Sequence, residues 1–150
     1  MSDPVREFLD SAKDAHARAQ MLSRKVAELT AQVERITPSY SGMPSGGGGD
    51  SSSAWVALVQ LRSSYLEEKI KAEMLEKNVS DFIETLPTPE NRVVLHLKYC
   101  ERLRWPEVMK GMREAGYYFS DRHIYRIHGN ALDEARERWK EIHNEETRDT

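Results

Sequence analysis

With 150 residues, 39% of them apolar and 31% charged, the chain can hold one modest domain, or a small domain joined to an extended helical element. It has no apolar run of about 18 residues that would span a membrane, and its N-terminus lacks the profile of a secretory signal. The single cysteine, Cys100, excludes an internal disulfide and fits a reducing cytoplasm.

The first predicted element is a long helix. Val5, Ala12, Ala19, Val26 and Val33 recur every seven residues, and Phe8, Ala15, Leu22, Leu29 and Ile36 follow each of them by three. An apolar seam of that length predicts a coiled coil, and the alanines at 12, 15 and 19 allow close helix approach. Pro38 ends the helix, and the Gly/Ser-rich stretch over 38–53 reads as a flexible connector. A second helix is predicted from about Ala54 to Thr85, with Val59, Leu66, Ile70, Leu75, Val79, Phe82 and Leu86 as apolar positions at less regular spacing. The two helices fold back as an antiparallel hairpin or pair between subunits. Pairing between subunits as a homodimer is the expected use of these helices.

Three shorter helices are predicted next. Thr88 is a candidate cap for the first, with Pro89 at its first position and Val93, Leu97 and Cys100 as its apolar stripe. Cys100 on that stripe reads as a small buried apolar residue rather than a nucleophile. The second begins around Arg104 to Pro106, turns Trp105, Val108 and Met112 inward, and stops at Gly116. Ser120 caps the third, where Ile124, Ile127 and Ala131 face inward and Arg122, Tyr125, Arg126 and Gly129 face out. Ala135, Trp139 and Ile142 extend the inner line to about His143, with the base of the hairpin near Val79 to Leu86 as the partner for Trp139. Arginines opposite a buried seam can lie in a major groove, where the guanidinium pairs with guanine or clamps a phosphate. Gly129 is costly inside a helix, by about 1 kcal/mol relative to alanine. Either it packs closely against a neighbour, or it leaves room for a DNA backbone.

These residues resemble a known group. Leu86-Pro87 with Arg92-Val93-Val94-Leu95 and Tyr99 resembles the opening of region 4 of sigma-70 factors. Trp105-x-Glu107-Val108 and the run from Ser120 to Leu132 are closer still to phage and prophage late-gene regulators of the RinA/ArpU kind. Thr37-Pro38-Ser39-Tyr40-Ser41-Gly42-Met43-Pro44 also matches a Gly-rich segment between helices in that group, so the resemblance covers roughly residues 5 to 140. One departure is the longer connection from Met109 to Phe119, which carries Tyr117-Tyr118-Phe119: either the second helix gains about a turn or the corner is a loop. The resemblance implies an all-α fold in which a helical hairpin over 1–86 precedes a sigma-70 region 4-like helix-turn-helix over 87–143 and an acidic disordered tail over 144–150. It also implies a regulator of phage late genes that recognises double-stranded DNA, with bacterial RNA polymerase as a further partner.

Net charge is −3, yet residues 89–140 carry 11 basic against 8 acidic side chains and the segments on either side are acidic. So small an excess predicts weak non-specific affinity. Arg122, Tyr125, Arg126 and Asn130 are the expected base contacts, and Arg102, Arg104, Lys110, Ser120 and His123 the expected backbone contacts. No metal site, cofactor, catalytic residue, small-molecule substrate or membrane contact is expected. The five histidines are scattered, and no phosphate-binding glycine loop or paired carboxylates appear. Two other readings are a small terminase-like packaging protein, and a coiled-coil interaction protein that does not bind DNA.

Overall fold

The computed structural model describes residues 3–36 and 48–148, with side chains over 3–35 and 52–148. The Thr37–Pro44 motif, most of the predicted linker and the side chain of Ile36 lie outside the described residues. The fold is all-α. The described residues form α1 (Pro4–Ile36), α2 (Gly48–Glu84), α3 (Pro89–Leu95), which continues as a π-helical turn over His96–Cys100, α4 (Trp105–Glu114) and α5 (Asp121–Arg148), with no strand among them. No helix among the described residues is long and apolar enough to cross a membrane.

The chain divides into two compact units, Asp14–Glu73 and Met1–Lys13 with Met74–Thr150. Within the first, the seam expected for α1 is turned inward: Ala15, Ala19 and Val33 are buried, and Leu22, Val26 and Leu29 half-buried. The α2 seam in this unit is Leu58, Leu61, Tyr65, Glu68 and Ala72, at alternating spacings of three and four. Its one charged member, Glu68, lies 3.5 Å from the Nε of Arg18 on α1. The regular set thus begins at Leu58, one residue before the Val59 that the sequence pattern placed first. Apolar residues on both sides of α2 had obscured it. The helix also starts at Gly48, six residues before Ala54.

The second unit holds the larger core. Val5 and Leu9 of α1, Val79 and Ile83 at the end of α2, Leu86 in the corner after it, Val94, Leu95 and Tyr99 of α3 and its π turn, Val108 and Met112 of α4, and Ile124, Ala131 and Ala135 of α5 are all buried together. Asp3 begins α1. One carboxylate oxygen accepts from the Val5 and Arg6 amides, at 3.2 and 3.4 Å, and the other takes the Arg136 guanidinium at 2.7 Å. That pairing holds the Asp3 carboxyl below its usual range.

Three local expectations change. Thr88 does not cap α3 with its side chain. Its hydroxyl instead donates to the Oε2 of Glu134 on α5 at 2.6 Å, a charge-assisted bond that outcompetes a local cap. The stripe of α3 also shifts. The π turn inserts an extra residue, so Val94, Leu95, Tyr99 and Cys100 are buried while Val93 and Leu97 are only half-buried. The insertion of Met109 to Phe119 resolves into both elements offered for it. Helix α4 runs on to Glu114, and Gly116 at φ +95° closes it with Tyr117 N–H to Met112 C=O and Gly116 N–H to Arg113 C=O, at 2.8 and 2.9 Å. Tyr117 and Phe119 then pack on the core, whereas Tyr118 is 82% exposed.

Trp139 finds its partner at the hairpin base. Its ring lies 5.8 Å from Phe82 of α2 and 5.1 Å from Phe8 of α1, and these two meet edge-on at 5.4 Å. Such aromatic clusters add to the area they bury. Trp139→Ala is expected to lower the unfolding free energy by about 3 kcal/mol, as for a packed aromatic. Urea unfolding followed by far-UV circular dichroism measures this, and an unchanged midpoint would mean that the cluster contributes nothing.

Candidate nucleic-acid interface

The surface of interest is built on α5, and α5 starts where its chemistry requires. Ser120 accepts the His123 amide on Oγ at 3.2 Å, and Asp121 in the first turn suits the positive end of the helix. Ile124, Ile127, Ala131, Leu132 and Ala135 are buried along one side. Arg122, Tyr125, Arg126, Gly129, Asn130 and Asp133 are exposed along the other.

Two sets of contacts orient this outer face. On one side Glu134 receives three donors from the start of α3: the Thr88 amide at 3.2 Å, the Thr88 hydroxyl at 2.6 Å and the Asn91 side-chain amide at 3.2 Å. On the other side an aromatic relay joins the π turn and α4 to α5. Tyr99 stacks on His128 at 5.8 Å, His128 meets Trp105 edge-on at 4.9 Å, and Trp105 supports Tyr125 at 4.7 Å. Lys98 sits over the Trp105 ring, 4.7 Å from its centre. Trp105, predicted as an inner-face residue, is therefore a half-buried bridge between helices. Tyr125 is half exposed on top of it.

The basic side chains separate into two groups. Those in the middle of α5 are engaged: Arg136 with Asp3 and Asp133, Arg138 with Glu141, and Lys140 with Glu137. Arg92 donates to the Leu86 carbonyl at 2.6 Å and closes the corner between α2 and α3. Arg102, one of the expected backbone contacts, adopts a left-handed φ of 57° and spends its guanidinium on Glu76 and the Cys100 carbonyl, at 3.1 and 2.9 Å. By contrast Arg104, Lys110, Arg113, Arg122 and Arg126 make no ion pair among the described residues, and all are exposed.

Lys110, Arg113 and Tyr125 share a shallow groove between α4 and α5 with Trp105, Pro106 and Met109, and Asp121 lies at its edge. Arg113 was not singled out from sequence. The signal was its place three residues after Lys110, at the border of the apolar face of α4. His123 and Asn130 lie on the other flank, in a hollow beside Thr88 and Asn91 of α3, with the His123 ring edge-on to Phe119 at 4.6 Å. The expected contacts thus fall on adjacent parts of one surface, except Arg102, which is tied into the corner before α4.

Gly129 lies mid-helix on the exposed face, and a Cβ built there meets nothing within 4 Å. Close packing inside the chain is not its reason. Asp133, further along the same face, is partly neutralised by Arg136 at 2.8 Å.

Burial, with the positive charges of Arg6 and Lys98, pushes the His128 imidazole down to about 4. Burial pushes the Tyr99 phenol up, so the phenol keeps its proton, and its oxygen is hydrogen-bonded to Nε2 of the neutral ring at 2.9 Å. Cys100 is likewise pushed up to about 11 by burial, which leaves it a protonated core side chain. No cluster of three or more His, Cys, Asp or Glu able to hold a metal ion occurs among the described residues.

A pH dependence follows for His128. In the unfolded chain its ring takes a proton near the ordinary 6.5, but in the fold only near 4, so stability is full above 6.5 and falls as pH drops from 6.5 towards 4. The urea midpoint of the parent is expected to fall between pH 7 and pH 5, and His128→Gln to lose most of that dependence. Equal slopes in the two proteins would place the acid sensitivity elsewhere.

The chain matches no protein-family model, no curated protein and no solved structure.

Proposed function

We propose that this chain is a sequence-specific, double-stranded DNA-binding transcription regulator that lays the first half of α5 in the major groove. In this reading α3, α4 and α5 act as a sigma-70 region 4-like helix-turn-helix, and α4 lies across the phosphate backbone. The observation that carries it is the separation of the cations. Five basic side chains that make no ion pair among the described residues gather on α4, the residue before it and the first turns of α5, while Arg136, Arg138 and Lys140 further along α5 pair within the fold. A fold that needed those five charges for its own stability would have paired them.

Gly129 supports the same reading. Its cost of about 1 kcal/mol in a helix is offset by nothing inside the chain, whereas a duplex backbone approaching α5 needs that space. Arg122 and Arg126 are the base readers, with Tyr125 held on Trp105 between them and Asn130 one turn beyond Arg126. Arg104, Lys110, Arg113, Ser120 and His123 meet phosphates. The resemblance to RinA/ArpU-type regulators makes phage late-gene promoters the targets and bacterial RNA polymerase a second partner.

Selection from random duplexes followed by fluorescence anisotropy tests this. Arg122→Ala and Arg126→Ala are each expected to weaken the selected site by about 1–3 kcal/mol and to relax sequence preference. Lys110→Ala and Arg113→Ala should weaken all duplexes alike and reduce the salt slope by about 1 each. Gly129→Ala should raise thermal stability while weakening binding. If no duplex is enriched, or if both arginine variants bind like the parent, α5 does not read DNA.

A further inference from the structure

Helix α2 carries apolar side chains on two opposite faces. One is the seam of Leu58, Leu61, Tyr65 and Ala72 already described. The other lies two residues earlier at each step, about 200° around the helix. It holds Val56, Val59, Leu66 and Ile70, each more than half exposed, and exposed Ser63 completes the alternating spacing of three and four. All five belong to the unit Asp14–Glu73. Single exposed apolar residues are ordinary, but four in heptad register on one face make the seam of a helix pair.

We propose that this face pairs with the same face of a second copy of the chain, α2 against α2, in parallel. The residue types point to two parallel strands. Val56, Ser63 and Ile70 fall at one core position of the heptad and Val59 and Leu66 at the other, and β-branched residues at the first with leucine at the second favour a parallel dimer.

The flanking charges choose the same partner and the same direction. Arg62 and Glu67 border the stripe five residues apart. In a parallel, in-register pair each Arg62 lies beside the partner's Glu67, and the contact occurs twice. An antiparallel pair would set Arg62 towards the partner's Lys69, a like-charge contact. Arg62, Glu67 and Lys69 are exposed and make no ion pair among the described residues. A surface that complements itself in both charge and spacing is suited to its own copy. The small Ser63 at its centre leaves no charge in the seam between Val56 and Ile70. This pairing does not depend on the DNA reading, and it uses a face distinct from the α1 seam.

Sedimentation equilibrium of the full chain without DNA tests the proposal. Over the micromolar range the parent is expected to rise from 17.3 kDa towards twice that mass. Leu66→Lys should weaken association about tenfold or more by placing a charge in the seam. Its helical circular dichroism and melting temperature should stay at the monomer's values, because Leu66 supports nothing inside the chain. Glu67→Arg should weaken association, and adding Arg62→Glu should restore it. A parent that stays monomeric, or a Leu66→Lys variant that associates like the parent, would overturn the pairing. A charge-swapped double variant no better than Glu67→Arg alone would overturn the parallel register.

Discussion

The Glu134 carboxylate accepts from the amide and hydroxyl of Thr88 and from the side chain of Asn91. Those donors stand at the N-terminus of α3, where unpaired amides and the helix dipole both favour a negative charge. Asn91 is buried, so withdrawing its partner would leave a buried donor unsatisfied at a cost of about 1–3 kcal/mol. Because Glu134 sits on α5, these bonds set how α5 rolls against α3, and the aromatic relay on the other side holds the same roll. The direction of Arg122, Arg126 and Gly129 follows from that roll.

Further along α5 the contacts become apolar and reach other helices. Trp139 closes on Phe82 and Phe8, and Arg136 reaches the first residue before α1, where Asp3 divides its two oxygens between capping that helix and holding the guanidinium. The start of α1 and the last turns of α2 are thereby joined to α5 in one core. This distribution of work explains the two characters of α5: Arg136, Arg138 and Lys140 are spent within the fold, and Arg122 and Arg126 in the first turns make no ion pair among the described residues. The proposed DNA-facing surface is the part of the helix that the fold does not use.

The aromatic relay from Tyr99 through His128 and Trp105 to Tyr125 links the core of the unit to that surface. Two of its members, Tyr99 and His128, are held uncharged by burial, the phenol protonated and the imidazole neutral. A charged imidazole there would face Arg6 and Lys98 at close range, so the relay is a rigid support under ordinary conditions. Tyr125 owes its placement to Trp105, which a pattern of buried and exposed positions along one helix cannot reveal.

Periodicity determined a good deal of this protein. The α1 seam, the inward line of α5 from Ile124 to Ala135, the serine cap at Ser120 and the left-handed stop at Gly116 are local features, and each depends on residues within a few turns of one another. The exposed arginines of α5 were legible for the same reason. What required the tertiary structure was every choice between competing local options. Thr88 could cap its own helix or bond Glu134, 46 residues away, and the charged acceptor won. The stripe of α3 could follow an α-helical period, but the π turn shifts it onto Tyr99. Apolar residues on two sides of α2 left its seam undecided until α1 covered one of them. Arg102 looked as free as Arg122 in sequence, and only the approach of Glu76 and the Cys100 carbonyl separates them. Sequence patterns reveal which residues share a face. Which faces and charges remain unsatisfied is set by contacts between residues far apart in the chain.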